Sequence, residues 1–85
     1  MTEKEINKLK DLKTQALNNY TVLSSKASME YASYEECAKY GYLLAADSYM
    51  SSFAMYTRFA NQWMAFVKEL NGVIDSHTRK DLEND

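Results

Sequence analysis

Proline is absent from this chain of 85 residues, and glycine occurs only as Gly41 and Gly72. With so little turn chemistry, long helices are the default expectation. Cysteine and histidine occur once each, as Cys37 and His77. A lone Cys37 excludes an internal disulfide and fits a reducing cytoplasm. A zinc cluster of cysteine and histidine ligands is excluded for the same reason. Charge is also scarce where the chain is most apolar: between Tyr40 and Val67 the only charged residues are Asp47 and Arg58. Together with Asn61 and Gln62 they interrupt the stretch well before the roughly eighteen apolar residues of a membrane span. The N-terminal MTEKEINKLK has no apolar core of the kind a signal peptide needs. A net charge of −2 and a pI near 5.3 supply no positive field for direct nucleic-acid binding, and they are too mild for an acidic DNA mimic. No glycine-rich loop is present to cradle a phosphate.

What is present is a helix-forming pattern in a single small domain, residues 1–85. Thr2 with Glu5, and Ser33 with Glu36, fit the S/T-x-x-E capping box of a helix start. The spacing of Ile6, Leu9, Leu12, Ala16, Leu17, Tyr20, Leu23 and Ala27 predicts a first helix over 3–29. A connection around Ser28–Ala32 and a second helix over 33–71 follow. Tyr34, Cys37, Ala38, Tyr42, Ala45, Tyr49, Phe53, Tyr56, Ala60, Trp63, Val67, Leu70 and Ile74 keep one apolar phase along it. A kink near Asp47, with that residue as a new cap, is the alternative. Asn71-Gly72 reads as a helix stop, with a short C-terminal helix after it and fraying over 83–85.

The stretch from Asp47 to Leu70 carries the main inference. Its apolar side spans about half the helix circumference, wider than the roughly 100° stripe of an ordinary surface helix. Tyr42, Tyr49, Tyr56, Trp63 and Leu70 recur every seven residues, as do Ala46, Phe53, Ala60, Val67 and Ile74 four positions later. That is the seam spacing of coiled coils and bundles. One narrower helix cannot cover such a face, and a chain this short has a thin stability margin. A second copy or a partner is therefore expected over Tyr42, Tyr49, Phe53, Tyr56, Phe59, Trp63 and Phe66. Tyrosine and methionine suit such surfaces, because a phenol wants one dry and one wet end and methionine adapts its shape. Arg58 is the sole cation of the stretch and is the candidate anchor for an anion or a partner.

Other constellations carry less. Glu30, Glu35 and Glu36 gather in sequence, but the Glu-x-x-His pairs of a di-iron bundle are absent and Glu36 reads as a cap. His77 reads as a surface residue near a frayed end. Cys37 lies on the apolar face, where thiols are usually inert. Lys4, Lys8, Lys10 and Lys13 alternate with acids as a solvated face. No catalytic residue, metal ligand or cofactor site is expected.

The fragments INKLK (Ile6–Lys10) and WMAFVK (Trp63–Lys68) resemble the two helices of the phage hairpin proteins that sequester cyclic nucleotides to blunt the CBASS defence. That resemblance covers eleven residues. It implies a small, all-helical, oligomeric nucleotide sponge and transfers no binding residue. The residues themselves point to an all-α long helical hairpin that pairs into a homo-oligomeric bundle. Its expected role is that of a non-enzymatic cytoplasmic accessory or inhibitor docking on another protein through the aromatic and methionine face; a phage origin and an anti-defence role are what the resemblance implies. A sponge for a small nucleotide-type ligand and a purely structural assembly subunit are the alternatives.

Overall fold

The computed structural model describes residues 1–84, and the side-chain surroundings of residues 1–80. Among these residues the chain forms two helices and no strand: α1 (Glu3–Lys39) and α2 (Leu43–Asn84). The two pack together as a hairpin 65 × 18 × 13 Å in extent. The all-helical hairpin expected from the sequence is present; its turn lies elsewhere.

α1 begins as expected. The Thr2 hydroxyl oxygen accepts from the Glu5 backbone N–H at 3.2 Å, which satisfies one of the free donors of the first turn. The same hydroxyl donates to the Glu5 carboxylate at 3.1 Å, so the glutamate closes on the cap through its side chain. Glu3 and Glu5 in the first turn and Lys39 in the last match the helix dipole at both ends.

The expected connection at Ser28–Ala32 is helix. Those residues contain neither glycine nor proline, and a serine with a glutamate three residues on caps a helix only where the backbone already breaks. Ser33 therefore lies inside α1, and Tyr34, Cys37 and Ala38 belong to α1, not to the second helix. The chain turns at Gly41, whose φ of +79° is the left-handed conformation that glycine adopts without a steric penalty. Two bonds close α1 around it: Gly41 N–H to the Ala38 carbonyl at 3.2 Å and Tyr42 N–H to the Cys37 carbonyl at 2.9 Å. This pair is the Schellman arrangement, which satisfies carbonyls that a helix end leaves unpaired.

α2 then starts at once, with Ala46 N–H donating to the Tyr42 carbonyl at 2.9 Å. Asp47 sits within its first turns, so it caps nothing and no helix break occurs there. The helix also passes through Asn71 and Gly72 to Asn84. Gly72 keeps a negative φ; an interior glycine costs about 1 kcal/mol and stops a helix only where nothing beyond it rewards continuation. Here Leu70, Ile74 and His77 all remain at least half-buried. The separate C-terminal helix expected beyond residue 71 is thus the last part of α2. Of the residues expected to fray, Glu83 and Asn84 are helical within α2, and Asp85 lies outside the described residues.

The seam between the helices is narrow. Its buried residues are Ile6, Ala16 and Ala27 on α1 and Ala46, Ala60, Val67 and Leu70 on α2. The row Ala46, Phe53, Ala60, Val67, Ile74 faces α1, as the seven-residue spacing implies. Four of the seven buried residues are alanine, which lets the backbones approach closely but removes little apolar area from water. Among the described residues no large side chain is fully buried. The rings stand at the edges of the seam instead of inside it.

Candidate interaction surface

Two contacts identify the two edges of the seam. On one edge Tyr31 of α1 meets Phe53 of α2, ring centroids 5.2 Å apart, with Tyr34 5.8 Å from Tyr31. On the other edge the Lys26 ammonium lies 5.8 Å from the centre of the Tyr56 ring, a cation–π distance. The Lys26 edge of α1 therefore adjoins the Tyr56 and Trp63 edge of α2.

Helical spacing then places the exposed apolar residues. Val22 and Met29 flank Lys26 at four and three residues on α1. Phe59 and Phe66 follow Tyr56 and Trp63 by three residues, Val73 follows Leu70 by three, and Met55 precedes Phe59 by four. Residues three or four apart share a helix face. Val22, Met29, Met55, Phe59, Phe66 and Val73 thus lie on one broad side of the hairpin, between 36 and 70 % exposed. The opposite broad side carries Thr14, Thr21 and Ser28 from α1 and Asp47, Asn61 and Lys68 from α2. Thr14 and Thr21 turn their hydroxyls back onto the Lys10 and Leu17 carbonyls, at 3.2 and 3.0 Å. The hairpin is one layer thick, with an apolar side and a polar side.

The residues expected at the interface divide into groups. Phe59 and Phe66 lie on the open apolar side, and Phe66 meets Trp63 edge-on at 6.2 Å. Tyr56 and Trp63 are half-buried at the margin of the seam next to them, and Tyr49 is exposed nearer the turn. Phe53 belongs to the other edge, against Tyr31. Tyr42 leaves the seam altogether: it is in the turn, its ring 6.5 Å from that of Tyr40. Arg58 is exposed, and its guanidinium rests 5.5 Å from the centre of the Phe59 ring, along the outer margin of the apolar side. A shallow groove beside it is lined by Thr57, Arg58, Asn61 and Gln62 with Phe53, Ala54 and Ala65.

Three surface features escaped the sequence pattern. Val22 and Met29 lie off the main stripe of α1 and extend the apolar side across both helices. The hairpin tip presents Tyr40, Tyr42, Leu43 and Leu44, and Leu44 is 88 % exposed; Gly41 beside them was the available signal. His77 is half-buried on α2, not at a frayed surface end. Cys37 is half-buried, in keeping with its place on the apolar face. Among the described residues no polar or charged side chain is buried, no group of His, Cys, Asp and Glu is placed to hold a metal ion, and no helix is long and apolar enough to cross a membrane.

Compared with known proteins, the chain matches no family model, no curated protein and no solved structure.

Proposed function

We propose that this chain is a non-enzymatic interaction protein that self-associates through its apolar broad side and, once assembled, docks on another protein as an accessory or inhibitor. The observation that carries this is the exposure of Val22, Met29, Met55, Phe59, Phe66 and Val73 on one side of a single-layer hairpin. A stable domain normally buries its apolar faces between two layers, and apolar side chains gathered on one exposed face mark an interaction site. The tip suits the partner: Tyr40, Tyr42, Leu43 and Leu44 are exposed there, with Glu35, Glu36 and Asp47 outnumbering Lys39, whose ammonium lies 5.7 Å from the centre of the Tyr40 ring. That combination fits an apolar socket with a basic rim.

Native mass spectrometry of gently purified protein tests the first half, since it reports subunit number and any retained partner together. An even-numbered oligomer is expected; a monomer at micromolar concentration counts against self-association. For the second half, capture of the partner should fail with Leu44→Ser while the oligomer persists, and unchanged capture would move docking away from the tip.

A nucleotide-sequestering oligomer is the second reading. It is favoured by the placement of Arg58 beside Asn61 and Gln62 in one groove, and it matches the resemblance of INKLK and WMAFVK to the phage sponge family. Thermal stabilisation by one member of a cyclic-nucleotide panel would support it, because a ligand that binds only the native state must raise its stability. No shift with any member would count against it.

A further inference from the structure

The distribution of residues along α2 says which copy covers the apolar side, and in which direction. We propose that two chains of this protein pack apolar side to apolar side about a two-fold axis crossing α2 near Trp63 and Met64, so that α2 lies antiparallel on α2 of the second copy. This deepens the self-association proposed above and rests on it.

The first argument is area. The chain exposes 6499 Å², whereas a compact monomer of 9.8 kDa exposes about 5,200 Å². The excess, on the order of 1,300 Å², exceeds the roughly 800 Å² per subunit that a stable interface removes. A slab 13 Å thick gains a second layer most directly from another such slab.

The second argument is position. Two-fold contacts are self-complementary: residue i meets j, and j meets i. In an antiparallel contact this requires the stripe to be centred on the axis. Phe59 with Phe66, Met55 with Val73, and Arg58 with Glu69 are each centred within about one residue of the midpoint of α2. One axis there sets Phe59 against Phe66 of the second copy and Met55 against Val73, twice over. On α1, Val22 and Met29 lie on the tip side of this axis, since Lys26 sits at the level of Tyr56, so the centring is a property of the α2 stripe alone.

The third argument is charge. By helical spacing Arg58 and Glu69 lie on the same margin of the stripe, the margin away from α1. An antiparallel pair brings like margins together, so Arg58 of each copy faces Glu69 of the other. The Phe59 ring already holds the Arg58 guanidinium along that margin. Gln62 lies on the same margin next to the axis, where a side-chain amide can donate to and accept from its own copy. If the axis instead ran along the bundle, α2 would cover α1 of the second copy and both tips would share one end. The Arg58 and Glu69 pairing would then be lost.

Tip-to-tip distance separates the two arrangements. With a nitroxide on Leu44→Cys in a Cys37→Ala chain, the antiparallel pair places the labels about 55–60 Å apart by helical rise. The shared-end arrangement places them within about 25 Å, a bundle width. Charge reversal gives an independent readout on exposed residues that the hairpin does not need for folding. Arg58→Glu or Glu69→Arg alone should weaken the dimer by about tenfold, since each change is repeated by symmetry and makes the facing pair repulsive. The double variant should restore it. A long distance with restoration supports the antiparallel pair. A dimer with a short distance, or with no response to either reversal, overturns this arrangement and leaves self-association standing. A monomer throughout the micromolar range overturns both.

Discussion

Gly41 and Gly72 are the same residue with opposite consequences. At Gly41 the backbone φ is +79° and nothing lies within 4 Å of where a Cβ would be. The cost of Gly41→Ala is therefore backbone strain alone, about 1–2 kcal/mol. Gly72 is helical and equally uncrowded, so Gly72→Ala should gain about 0.5–1 kcal/mol by restricting the unfolded chain. Denaturant midpoints of both variants at one protein concentration check this. Destabilisation by Gly72→Ala would mean that another surface lies against that position. These two residues also show what the sequence conceals. Each is a plausible stop, and Asn71 before Gly72 makes the wrong one look stronger. The true stop follows Lys39, a cation in the last turn of α1 as the helix dipole favours, but an attractive capping box at Ser33 and Glu36 competes with it.

At the scale of the helices, the seam and the open side should respond differently to mutation. Ala60 is only 3 % exposed between two closely approaching backbones. Ala60→Leu should force them apart and cost about 1–3 kcal/mol, read as a lower melting temperature with helicity intact below it. Phe66→Glu lies outside the seam. It should leave the helical signal of the hairpin unchanged while abolishing self-association in sedimentation. A melting temperature for Phe66→Glu below that of the unmodified chain at its most dilute would place that ring in the core instead. The seam row from Ala46 to Ile74 was legible because its seven-residue spacing survives in the fold. The turn was not, because the apolar phase happens to run on from Cys37 through Tyr42 and Ala45 into α2. A three-residue turn, Tyr40–Tyr42, left no reset to detect. Val22 and Met29 were illegible for a related reason. They belong to the open side only once the hairpin decides which edges of α1 and α2 adjoin, and no periodicity within one helix contains that information.

The whole molecule is long and thin. Its radius of gyration is 19.0 Å, against about 12 Å for a compact domain of this length, and its buried residues form a line, not a volume. In the self-association proposed here, part of the chain's stability comes from the copy that covers its apolar side. Melting temperature should then rise with protein concentration, because association stabilises the native state by mass action. A melting temperature constant across a hundredfold concentration range would show that the seam alone sustains the fold. The excess of surface was foreshadowed by the width of the apolar face between Asp47 and Leu70, which one partner helix cannot cover. The amount and the direction of that excess required the hairpin.

Sedimentation equilibrium of the unmodified chain beside Phe66→Glu tests the covered apolar side most directly. The unmodified chain should sediment as an even-numbered oligomer of the 9.8 kDa subunit and the variant as a helical monomer. A helical, stable monomer for the unmodified chain, indistinguishable from the variant, would contradict the claim that a second copy completes this fold.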